Sequence, residues 1–124
     1  MEIKTKKVLI IDDDSRNIFA LTAVLKAKKY NCLSANSAEK GFEILAKNND
    51  IGVVLMDMMM PDMDGYQAID NMKNHPEMQK IPVIAVTAQA MVGDRERCMN
   101  AGAVGYISKP VNVDELVQQL KTHI

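Results

Sequence analysis

An α/β fold, with helices on both faces of a five-stranded parallel sheet, follows from three features of this 124-residue chain. Short runs of bulky apolar residues alternate five times with segments of helical pattern, the spacing expected of βαβ units. The run Val53-Val54-Leu55-Met56 is apolar without a break, as in a strand covered on both faces. Residues that cap helices stand between the runs: Asp14 or Ser15, Ser37 and Asn112. Right-handed crossovers then make a doubly wound sheet the natural arrangement.

The elements follow in order. Lys7-Val8-Leu9-Ile10-Ile11 predicts a first strand that ends in Asp12-Asp13-Asp14, and a helix is expected over 16–29. A weaker strand covers 30–35, and a helix over 38–47 carries Glu39 in its first turn, where the helix dipole favours an acid. Asn48-Asn49-Asp50 is a polar turn before the third strand, 51–56. Pro61 and the turn Asp62-Met63-Asp64-Gly65 lead into a helix over 65–74, which His75-Pro76 ends. A fourth strand covers 81–87, with Pro82 tolerated near its start. A helix is expected over 88–100, closed by Gly102. A fifth strand covers 104–108, and Asn112 caps a last helix over 113–122. No repeat, linker or low-complexity segment divides the chain, so residues 1–124 read as a single domain.

Composition narrows the classes. Apolar residues are 48% and charged residues 25%, the profile of a soluble globular protein with a real core. A net charge of -1 supplies no basic field for nucleic acid or lipid. The basic residues near the N-terminus have no long apolar segment behind them, so neither a signal peptide nor a membrane segment is expected, and the location read from this is cytoplasmic. Cys32 and Cys98 lack metal-ligand spacing and read as unpaired thiols. Ten methionines against five aromatics imply a core filled by thioethers, with a soft recognition surface as the alternative.

Chemistry-bearing residues collect just after the strands. Asp12 and Asp13 follow the first, Asp57 the third, Thr87 ends the fourth and Lys109 follows the fifth. In a parallel sheet all of them project from the carboxyl edge, where open α/β sheets bind ligands. Taken alone, Asp57 would be a strand-end carboxylate facing water; the company it keeps makes it part of a site. Two like charges about 4 Å apart repel by on the order of 4 kcal/mol at an effective dielectric near 20. One lysine does not balance three acids. A hard divalent ion with oxygen ligands does, and Mg²⁺ fits because it accepts a few carboxylates and leaves positions for water or phosphate oxygens. A carboxylate held beside such an ion can attack phosphorus, while a hydroxyl and an ammonium group hold the remaining phosphate oxygens. The residues thus describe a metal-dependent aspartyl-phosphate site with Asp57 as acceptor.

The same residues carry a resemblance. Asp12-Asp13 after Val8-Leu9-Ile10-Ile11, the stretch Met56-Asp57-Met58-Met59-Met60-Pro61-Asp62-Met63-Asp64-Gly65, Val86-Thr87-Ala88 and Tyr106-Ile107-Ser108-Lys109-Pro110 together resemble the receiver domains of response regulators in two-component signalling. The likeness spans essentially the whole chain. It implies a flavodoxin-like sheet of order 2-1-3-4-5. It implies that Asp57 takes a phosphoryl group from a phosphohistidine on a sensor histidine kinase or histidine phosphotransfer protein. Asp12, Asp13, Asp57 and the backbone carbonyl of Met59 would hold Mg²⁺, directly or through water. Thr87 would bind the phosphoryl group and move on activation, Lys109 would pair with it, and Ala88 would offer its backbone N–H. The likeness also favours Asp12 and Asp13 as the metal pair, leaving Asp14 as a helix cap. It implies a cis Lys109–Pro110 bond. Tyr106 would turn inward when Thr87 is drawn to phosphate, altering a downstream partner's surface on the fourth helix, fifth strand and fifth helix. Arg16-Asn17, Gln89-Ala90-Met91 and the segment 93–98 are closest in style to receivers of hybrid sensor kinases.

Ile18 or Phe19, near the acidic edge, is expected to lie partly exposed and dock the kinase. The chemistry would act only on the chain itself, which is then not an enzyme toward other substrates. The alternative is a haloacid-dehalogenase-like phosphohydrolase, since Ile10-Ile11-Asp12-Asp13-Asp14 offers acids two apart; Asp57 would then have no role. A flavin or nucleotide carrier on the same fold lacks the Gly-rich loop after the first strand.

Overall fold

The computed structural model describes residues 6–88 and 91–124. In chain order it has β1 (Lys7–Ile11), α1 (Ser15–Ala27), β2 (Asn31–Ala35), α2 (Ala38–Lys47), β3 (Ile51–Asp57), α3 (Gly65–Lys73), β4 (Val83–Thr87), α4 (Asp94–Ala101), β5 (Gly105–Ser108) and α5 (Val113–His123). The strands form one parallel sheet in the order β2-β1-β3-β4-β5. β1 therefore lies between β2 and β3, and the winding reverses after β2. A crevice opens at that reversal, above the carboxyl ends of β1 and β3.

Alternation along the strands divides the core. Val8 and Ile10 of β1, Val53 and Leu55 of β3, Ile84 and Val86 of β4 and Ile107 of β5 pack against Leu21 and Leu25 of α1 and Leu116 and Leu120 of α5. Leu9, Ile11, Val54, Met56 and Ala85 face the other way, onto α2, α3 and Cys98 of α4. Successive side chains of a strand point to opposite faces, so a central strand must be apolar at every position. All seven residues of β3 are buried, as the unbroken run predicts. Met56, Met58, Met60, Met72 and Met78 are in the core, whereas Met59 and Met91 are exposed. Packing is thus the main, not the sole, use of the methionines.

Local chemistry sets the helix starts. The Asp14 side chain accepts from Arg16 N at 2.9 Å and caps α1, which places Ser15 inside the helix. Ser37 and Asn112 cap α2 and α5. Asp64 and Gln67 form a reciprocal capping box on α3. Gly65 opens α3 because a Cβ there would lie 2.7 Å from Met58 Cα. The β3–α3 connection, which carries the residues after Asp57, depends on that close approach.

Two boundaries differ from expectation in ways that matter. β3 extends through Asp57, which pairs with Val86, so this carboxylate leaves a regular strand and not a loop. The fourth helix was expected from 88, yet α4 begins at Asp94. Gly93 at φ 86 interrupts the helical path there. Ala88 therefore lies in a bend after β4, outside any helix, while Gln89 and Ala90 of that expected helix lie outside the described residues. Gly102, at φ 123, does close α4. The Lys109–Pro110 bond is cis.

Candidate functional site

Register brings the strand ends to one level. Ile11 pairs with Met56, Asp57 with Val86, and Thr87 with Ser108. Asp12 just after β1, Asp57 at the end of β3, Thr87 at the end of β4 and Lys109 just after β5 therefore meet at a single rim. Oxygen atoms of Asp12, Asp13 and Asp57 all lie within 4.8 Å of one another. Lys109 reaches into the same space, with Nζ 3.1 Å from Asp12 Oδ2 and 3.9 Å from Asp57 Oδ2.

The acids are held differently. Asp12 is 2% exposed and is gripped on both oxygens. Its Oδ1 accepts from Asp14 N at 2.9 Å; its Oδ2 accepts from Asn17 Nδ2 and from Lys109 Nζ. Asp13 is exposed. Asp57 is 4% exposed, and its Oδ1 accepts from Met59 N at 3.1 Å. Burial is the main cause pushing the Asp57 carboxyl up to about 6. The Met59 N–H opposes the rise, the Asp12 charge adds to it, Lys109 opposes it, and a hydrogen bond with Asp13 adds to it. Thr87 is 1% exposed at the end of β4, and its carbonyl accepts from Lys109 N at 2.8 Å.

The expected residues thus divide into groups. Asp12, Asp13, Asp57 and Lys109 converge, and Thr87 is tied to Lys109 through the backbone. Met59 contributes its N–H to Asp57, and Ala88 follows Thr87 directly. Tyr106 is bonded elsewhere, its hydroxyl donating to Asp94 Oδ2 at 2.9 Å. Asn17 is a site residue that reading the sequence left without a role. Its position on α1, one helical turn past the acid pair, was the available signal: that turn faces the strand end it follows.

The donor set also answers whether a metal belongs here. All three converging groups are carboxylates, and one ammonium group leaves their charge under-compensated. Oxygen-only ligands with uncancelled negative charge suit a hard divalent cation.

The family model for the response regulator receiver domain matches residues 8–121. The chain is a response regulator receiver domain. It is 33% identical over 120 residues to the polar-differentiation response regulator DivK of Brucella ovis, covering 97% of each chain. It is 28% identical to the receiver domain of a sensor histidine kinase from Pseudomonas aeruginosa, solved with a magnesium ion coordinated in the active-site cleft. That match has a TM-score of 0.85 and covers 95% of this chain and 96% of that one. A response regulator receiver protein from Pseudomonas putida shares the fold at a TM-score of 0.90, with 24% identity over 98% of this chain and all of that one. A receiver acts as a phosphoacceptor, and membership implies a histidine kinase or phosphotransfer protein as its partner.

The phosphohydrolase alternative fails. It needs Asp14 as the second acid, but Asp14 is spent on capping α1 and pairing with Arg16 at 3.3 Å. It also leaves Asp57 idle, whereas Asp57 is built into the cluster. Among the described residues no helix is long and apolar enough to cross a membrane.

Proposed function

We propose that residues 1–124 work as one cytoplasmic receiver in which Asp57 takes the phosphoryl group from a phosphohistidine. The observation that carries this is the convergence of Asp12, Asp13 and Asp57 with Lys109 at the carboxyl edge of the sheet. A carboxylate oxygen of Asp57 forms the new bond to phosphorus; the bond from phosphorus to the donor imidazole nitrogen breaks, and its electron pair stays on the imidazole. Asp12, Asp13, Asp57 and the Met59 carbonyl would hold Mg²⁺, whose charge offsets that gathering on the transferred oxygens. Magnesium in the cleft of the Pseudomonas aeruginosa receiver supports the same ion here. Lys109, Thr87 and the Ala88 N–H hold the phosphoryl oxygens. The reaction is confined to the receiver's own carboxylate.

Incubation of the whole chain with acetyl phosphate and Mg²⁺ is expected to add one phosphoryl group by intact mass, and a chelator to prevent it. No uptake with metal, or equal uptake without it, overturns the reading.

The output in this proposal is a changed surface on α4, β5 and α5, reached through Thr87 and Tyr106 and read by a downstream protein. The input face is α1. Phe19 is 77% exposed, whereas Ile18 packs partly against the α1–α5 side of the core, so Phe19 is the docking residue of the two. Phe19→Ala should slow transfer from a protein phosphohistidine donor by about tenfold or more, the usual effect of losing an aromatic anchor. Uptake from acetyl phosphate should not change, because that donor needs no docking. Equal slowing with both donors would remove Phe19 from the interface.

A further inference from the structure

α4 is weakly held by its own sequence. It has eight residues, its N-cap Gly93 makes no side-chain cap bond, and Cys98 is its buried residue. The other four helices are capped by side chains. What anchors the first turn of α4 is Asp94, which grips two tyrosines from different elements. One oxygen accepts from the Tyr66 hydroxyl at 3.2 Å and the other from the Tyr106 hydroxyl at 2.9 Å. Tyr66 lies in the first turn of α3 and Tyr106 in β5, so one carboxylate ties three elements together. The Tyr66 hydroxyl also meets Cys98 Sγ at 3.5 Å, and the Arg97 guanidinium lies 4.2 Å from the centre of the Tyr66 ring. Tyr106 reaches one element further, its carbonyl accepting from Gln119 Nε2 of α5 at 3.2 Å.

We propose that Asp94 is a latch that holds α4 and Tyr106 in the resting arrangement, and that phosphorylation of Asp57 works against it. This rests on the receiver reading above, in which Tyr106 turns inward as Thr87 is drawn to the phosphoryl group. Tyr106 stands two residues before Ser108, the partner of Thr87 in the sheet, so a shift at Thr87 has a short path to it. Tyr106 is half-buried against the core with its hydroxyl held by Asp94, so a rotation of the phenol toward Thr87 breaks that bond while α4 stays in place. When that bond goes, α4 keeps Cys98, Met99 and the Tyr66 contacts, but its first turn loses one of the two tyrosines that Asp94 grips. Coupling is reciprocal: whatever holds the resting arrangement weakens the phosphoryl site by the same factor. Asp94 is a positioning residue in this scheme, acting through Tyr106.

The test measures binding of beryllofluoride with Mg²⁺, a stand-in for the phosphoryl group, to the whole chain by calorimetry. Asp94→Ala is expected to bind it about tenfold more tightly than wild type, within the ordinary range of coupling between sites. Amide exchange across 94–101 should be fast in the free variant, and in wild type should become fast only when beryllofluoride is bound. Glu96→Ala removes a charge from the same helical turn while leaving both Asp94–tyrosine bonds in place, and should bind as wild type does. Unchanged or weaker binding by Asp94→Ala overturns the latch, and so does an equal gain in Glu96→Ala, which would reveal a helix-charge effect. Should Asp94→Ala not fold, Tyr106→Phe deletes the same bond and is expected to tighten binding; no change there overturns the latch. A wild-type chain that binds no beryllofluoride instead refutes the receiver chemistry on which the latch depends.

Discussion

Asp57→Asn is expected to abolish phosphoryl uptake while making the metal-free protein more stable at neutral pH. The loss of uptake is chemical, because a carboxamide has no anionic oxygen to form the bond to phosphorus. The gain in stability comes from the same burial that prepares the acceptor. The folded-state pKa is about 6, raised from an ordinary value of 3.8. Below about pH 4 the group is protonated whether the chain is folded or not, and it costs nothing. As pH rises through about 6 the folded chain must ionise a buried carboxylate that the unfolded chain ionised more easily, so stability falls over that window. The upper bound on the loss is on the order of 3 kcal/mol, at about 1.4 kcal/mol per pH unit. Asparagine avoids ionisation and can still accept from the Met59 N–H. Urea unfolding in chelator should therefore favour the variant at pH 7.5, with the gap closing by pH 4. Added Mg²⁺ should stabilise wild type more than the variant. If wild type were the more stable of the two without metal at pH 7.5, Asp57 would not be under electrostatic strain.

Lys109→Met should move two properties in opposite directions. Nζ of Lys109 lies 3.1 Å from Asp12 Oδ2, in the space a metal ion would share. Deleting its charge removes a repulsion toward Mg²⁺ and, among the described residues, leaves Asp12 and Asp57 without their ion-pair partner. A unit repulsion at about 4 Å is worth a few kcal/mol before water and salt screen it, so Mg²⁺ affinity should rise by about tenfold. Phosphoryl uptake should nonetheless slow by about 10²–10³, the usual effect of losing one donor aimed at developing charge. Calorimetry for Mg²⁺ and timed intact mass for uptake provide the two measurements. Both falling together would mean that Lys109 serves the fold and not the chemistry.

Strands and caps were legible because they are local. The unbroken run through β3 states that both faces are covered, and Asp14, Ser37 and Asn112 announce helix starts by their own side chains. The acid cluster was legible for a related reason. In a parallel sheet every strand ends at the same edge, so position in the sequence becomes position in space. α4 was misjudged at its start because the apolar residues Met91 and Val92 continue a helical pattern while Gly93 breaks it, and both are exposed where a helix would have half-buried them. Asn17, Tyr66 and Asp94 drew no structural role because each is an ordinary polar residue until its partner is known.

Apolar periodicity and strand-end chemistry along the chain were enough to specify five strands, a two-faced sheet and an acidic rim suited to a divalent ion and a phosphoryl group. Tertiary packing alone decided that Asp12 is clamped by Asn17 and Lys109, that Phe19 stays in solvent, and that Asp94 joins α3, α4 and β5. The physical reason is range. Backbone pattern and caps act over a few residues, whereas a side-chain hydrogen bond between groups such as Tyr66 and Asp94, or Lys109 and Asp12, exists only after the sheet has brought its ends together.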